Sequence, residues 1–170
     1  MRSVILGFCL FAAACAGEAP SAPTSPSSPS GGAAITEAKG GSELPFRGTL
    51  QATETVDGLV HQLTGTGEAT HLGRFTLTSE FTVTPPPAAT ASGTAVWTAA
   101  NGDQIITTTT GHVVAPPPPF LVVTETHIIS GGTGRFANAS GSIVLERSLR
   151  VETSPIESTG SITGTINLGH

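Results

Sequence analysis

The sequence predicts an all-β domain: an eight-stranded antiparallel barrel, with a β-sandwich as the alternative. Three observations lead there. From Leu44 onward, Thr, Val, Ile and Phe alternate with polar residues, and no stretch carries the apolar spacing of three and four that a helix needs. Turn signals cut this region into eight runs with short connections, so neighbouring strands should pair antiparallel, since parallel pairs need long crossovers. Glycines recur inside the runs, at Gly48, Gly65, Gly67, Gly93, Gly141, Gly160 and Gly164. They weaken a flat sheet but permit the sharp coiling that closure requires, which favours the barrel.

The expected strands are 45–56, 58–70, 73–84, 91–100, 103–114, 120–130, 135–151 and 157–168. The clearest is the third, where Phe75, Leu77, Phe81 and Val83 share one parity and Thr76, Thr78, Glu80 and Thr82 the other. In the seventh, Ile143, Leu145, Leu149 and Val151 share a parity with Arg147. Asp57-Gly58 and Asn101-Gly102 are favoured hairpin dipeptides. Pro85 to Pro87 and Pro116 to Pro119 belong in loops, because proline cannot donate to a ladder.

Ahead of this region lies a leader. Arg2 precedes an apolar run from Val4 to Ala14, too short for a bilayer core, which takes about 20 residues. Small residues follow, so 1–15 reads as a secretory signal. Ala12-Ala13-Ala14-Cys15 resembles the lipobox of bacterial lipoproteins, with Ala12 where leucine is usual; Cys15 would then carry the lipid. The rival site is Ala14-Cys15-Ala16, an ordinary small-x-small cut. Residues 16–43 have a Pro/Ser/Gly composition with little to bury, the signature of a disordered tether. The expected barrel occupies 44–168.

Charge and cysteine exclude several classes. Without Arg2 the chain holds six basic residues against 12 acidic ones, a net charge of −6 with neutral histidines. The basic residues are scattered, so there is no footprint for nucleic acid and no polybasic patch for anionic lipid. Membrane attachment would run through lipid on Cys15. The only other cysteine, Cys9, lies in the leader, so the domain has no disulfide to rely on.

Three segments occur in order: Gly65-Thr-Gly-Glu-Ala-Thr-His-Leu-Gly-Arg-Phe-Thr76, Ala100-Asn-Gly-Asp103 and Gly131-Gly-Thr-Gly-Arg-Phe-Ala-Asn-Ala-Ser-Gly141. The last resembles the G-G-T-G-R-F-x-x-A-x-G segment of allene oxide cyclase and dirigent-like barrels. The set looks like a bacterial exported branch of that superfamily. The resemblance covers about 44–168 and implies an eight-stranded antiparallel barrel with a central cavity, in a family whose plant members steer reactive small molecules and oligomerise. No catalytic residue of those relatives matches a position here.

Candidate chemistry is sparse. Gly131 to Gly134 lacks the following Lys-Ser/Thr of a phosphate loop and reads as a turn. No motif calls for a cofactor. His61, His71, His112 and His127 are spread over several runs and His170 ends the sequence, without zinc-type spacing, so no metal site is expected. Glu125 and His127 share a face of one strand and form a candidate acid/base pair if that face is inward; Glu80 is a third candidate. Phe75, Leu77, Phe81, Trp97 and Phe120 are the apolar residues most suited to a ligand cavity, or to core filling. The expectation is an exported, lipid-anchored barrel that binds a small apolar or amphipathic molecule at the cell envelope. The alternatives are an isomerase or cyclase acting in the cavity and a non-catalytic oligomeric module.

Overall fold

The computed structural model describes residues 42–115 and 120–169. The leader, Cys15, residues 16–41 of the expected tether, Pro116 to Pro119 and His170 lie outside these. Eight strands make up nearly all of the rest: β1 (Leu44–Asp57), β2 (Val60–Ala69), β3 (Gly73–Val83), β4 (Thr90–Ala99), β5 (Gln104–Ala115), β6 (Phe120–Gly132), β7 (Ser140–Arg150) and β8 (Ile156–Asn167). Each pairs antiparallel with the next, and β8 returns to pair with β1 along eleven residue positions. The sheet is a closed barrel, and the sandwich is not adopted.

Alternation decides what faces inward. In β1, Phe46, Leu50, Ala52 and Glu54 are buried while the odd positions are exposed. The strand glycines let opposing interior side chains pass. A Cβ on Gly67 would stand 2.7 Å from the Phe75 ring, and one on Gly65 would stand 2.8 Å from Leu50 Cδ1.

Two local expectations need correcting. The first hairpin turn is Gly58-Leu59, because Asp57 still pairs with Val60. Gly58 takes the positive φ of 63° that this tight loop demands. The seventh run does not start as a strand at 135. Residues Gly134–Phe136 form a 3₁₀ turn, and pairing begins at Ser140. Gly134 sits at φ 55°, a conformation incompatible with a ladder.

That turn closes one end of the barrel. Phe136 is fully buried and packs with Phe46, Phe75, Trp97, Ile105 and Ile166 in a single apolar cluster. Leu72, from the β2–β3 turn, is buried in the same cluster. Thr133 Oγ1 accepts from Gln104 N at 3.0 Å, and Arg135 donates from Nη2 to Leu72 O at 3.4 Å. The repeated Gly-Arg-Phe tripeptides at 73–75 and 134–136 thus do one job by two routes. Each sends its phenylalanine into the same end of the core, one from a strand start and one from a 3₁₀ turn.

Candidate functional site at the barrel mouth

The opposite end is built differently. Beyond the apolar cluster, the interior carries charge: Glu54 on β1, Glu125 and His127 on β6, Arg147 on β7 and Ser158 on β8 are all buried. Each lies on the inward parity of its strand. Glycines face the two bulkiest charged groups. Gly160 pairs with Arg147, and a Cβ there would stand 3.0 Å from Arg147 Cγ. Gly111 pairs with Glu125, and a Cβ there would stand 3.1 Å from Glu125 Cγ.

Arg147 is the hub. Its Nη1 donates to Glu54 Oε2 and to Ser158 Oγ, both at 3.1 Å. Its Nε donates to Glu125 Oε1 at 3.1 Å, and Nη2 donates to the same oxygen. Glu54 Oε1 accepts from His61 Nδ1 at 2.6 Å. The His61 ring also packs against Phe81, with centroids 5.3 Å apart. An ionised carboxylate only accepts, so this bond places a proton on Nδ1; in the neutral imidazole Nε2 is then an acceptor without a hydrogen bond.

Glu125 faces two neighbours. Its Oε2 stands 3.6 Å from His127 Nε2, longer than a hydrogen bond but close enough for charge. His127 Nδ1 lies 3.1 Å from Thr107 Oγ1 and 3.0 Å from Thr109 Oγ1. Behind it, Trp97 makes an edge contact with the imidazole at 5.1 Å between centroids. Trp97 Nε1 and His127 Nε2 are buried without hydrogen-bond partners. Burial alone would push the Glu125 carboxyl up; the His127 ring and the Arg147 guanidinium outweigh it and hold the carboxyl below its ordinary range. Burial likewise works against the Arg147 charge, but Glu125 and Glu54 hold the guanidinium above its ordinary value.

A cavity of about 170 Å³ opens above this cluster. Its floor is Glu54, His61, Glu125 and Arg147, and its walls include Phe81, Val83, Val113, Leu121, Val123 and Leu149. Larger depressions lie on the outer surface, but they are shallow and threonine-lined. One of about 680 Å³ holds Phe120 beside the Arg150–Glu157 pair. Those two side chains are more than half exposed, where a surface ion pair does little.

The sequence candidates divide accordingly. Glu125 and His127 point inward as a neighbouring pair, Glu125 on the cavity floor and His127 beneath it. Phe81 lines the cavity. Phe75, Leu77 and Trp97 belong to the solid core and do not line it. Phe120 lies on the outer parity and is 46 % exposed, so it leaves the set of interior candidates. Glu80 is also outside, accepting from Gln62 Nε2 at 3.3 Å. Parity singled out neither Glu54 nor His61, although Glu54 shares its face with Phe46, Leu50 and Ala52. Among the described residues, no cluster of three or more His, Cys, Asp or Glu is placed to hold a metal ion.

Comparison with known proteins adds no name to this geometry: the chain matches no family model, no curated protein and no solved structure.

Proposed function

We propose that this protein is an exported, lipid-anchored barrel that binds a small amphipathic molecule through its open end, with Cys15 as the point of lipid attachment. One observation carries the binding reading: a cavity with apolar walls over a buried ionic floor. Apolar walls exclude water from a ligand's body, and a few convergent polar groups orient its head. The size limits the ligand. At about 30 Å³ per water-sized group, the cavity holds roughly six such groups, well below a drug-sized site. Purification followed by solvent extraction and mass spectrometry tests the reading. A small amphipathic compound should copurify with the wild type and be lost in Ala91→Leu, which fills the mouth. Equal recovery from both would end it.

A second reading, an isomerase that moves a proton, is favoured by the Glu54–His61 pair. A carboxylate-oriented imidazole with a free nitrogen beside an apolar cavity is the arrangement of a general base. Isoxazole, a five-atom ring within the size limit of the cavity, is a suitable probe. Removal of its C3–H proton by the base breaks the N–O bond, giving a nitrile and an enolate, and the proton then passes to water. Turnover that disappears in His61→Gln supports the reading, and turnover that is unchanged removes it.

A further inference from the structure

We infer that the cavity selects ligands whose head group donates a hydrogen bond, a hydroxyl or an amine, and discriminates against carboxylates. This rests on the binding reading above and adds the chemistry of the head.

Both oxygens of Glu54 are engaged, one by His61 Nδ1 and one by Arg147 Nη1. Glu125 Oε1 takes Arg147 through two nitrogens, and Oε2 faces His127. Arg147 spends Nε, Nη1 and Nη2 on Glu125, Glu54 and Ser158. Four of the five guanidinium N–H groups are therefore committed, and the one left on Nη2 offers no fork to an incoming anion. His61 is the floor residue with both surface access, 17 % of its side chain, and an unengaged ring nitrogen. In the neutral imidazole that nitrogen is an acceptor, because Nδ1 carries the proton that Glu54 binds.

Charge points the same way. Two carboxylates surround one guanidinium, so with neutral rings the floor carries an excess negative charge. A carboxylate head would meet an acceptor and a like charge where little water can screen them. A hydroxyl would donate to His61 Nε2, and an ammonium would do so and also offset the excess charge.

The test uses three six-carbon probes with one body and different heads: hexanol, hexylamine and hexanoate. Trp97 is the sole tryptophan in a chain without tyrosine, and it touches His127, whose strand neighbour Glu125 lines the cavity. Its emission therefore reports on the interior. At about pH 8, where hexanoate is ionised and hexylamine protonated, hexanol and hexylamine should each bind at least about tenfold more tightly than hexanoate, the scale of one hydrogen bond. In His61→Leu the preference for hexanol should collapse to within about twofold. The wild-type ratio decides the matter even if that variant folds poorly. Hexanoate binding as tightly as hexanol would overturn the head-group inference and leave the binding reading standing. Saturable binding of no probe, by fluorescence and by calorimetry, would overturn both.

Discussion

The two ends of the barrel use the same eight strands and opposite chemistry. At the closed end, Phe46, Phe75, Trp97, Ile105, Phe136 and Ile166 fill the lumen, and loop residues Leu72 and Phe136 seal it. At the mouth, the inward positions hold Glu54, Glu125 and Arg147, with a cavity above them. The apolar end gains free energy for each side chain it buries, about 1.5–3 kcal/mol for a large one. The ionic layer is different in kind: desolvating three charges costs several kcal/mol per ion, which their pairing only offsets. A layer of that sort is poorly explained as a stabilising device, and the proposed function makes it the floor of a binding site. The closed end holds the barrel together so that the mouth can remain polar and open.

The largest expected effect tests the ionic layer. Arg147→Met removes the hub and leaves Glu54 and Glu125 buried without a counter-charge. Urea denaturation at neutral pH should show a loss of about 3–5 kcal/mol. A loss under about 1 kcal/mol would mean that water reaches the carboxylates and that the two ends are less distinct than described.

Phe136→Ala should cost about 3 kcal/mol by opening a hole in the closed end. Hexanol affinity at the mouth should change less than twofold in calorimetry. A large loss of affinity would show the ends to be coupled, and would break the comparison. Leu149→Ala, the matching truncation at the mouth, should cost about 2 kcal/mol or less, because its site already borders open space.

The smallest effect is in acid. The Glu125 carboxyl is held below its ordinary value of 4.5, so its pairing contributes stability that is complete above that pH. The contribution declines as pH falls through 4.5 toward the depressed value. Arg147, held above its ordinary value, keeps its contribution until strong alkali. Thermal melts of Glu125→Gln should therefore depend less on pH than the wild type below about 4.5, where the unfolded carboxylate protonates. Identical slopes would place the acid sensitivity elsewhere.

Much of the architecture was legible along the chain, for identifiable reasons. Side-chain alternation has a period of two, so Phe75, Leu77 and Phe81 declared the inner face of β3 without reference to any other strand. Turn glycines and prolines marked the breaks, apart from the 3₁₀ turn at 134–136, where Phe136 looks like a strand residue until its backbone is seen. The site was half legible. Glu125 and His127 lie two apart, so one strand sufficed to align them. Arg147 and Glu54 are 93 positions apart, on strands that meet only through β8. A charge on an apolar parity was a signal at both positions, but no local pattern says which partner it finds.

By itself, then, the sequence determined the class: β-strands from alternation, antiparallel order from short connections, and closure favoured by glycines inside the runs. Tertiary structure alone decided that the lumen is solid at one end and hollow at the other. It also decided that Arg147 takes two carboxylates from different strands, and that Glu54 orients His61. The physical reason is range. Alternation and turns act over a few residues, whereas the pairing of buried charges depends on barrel closure, which brings strands together across nearly the whole domain.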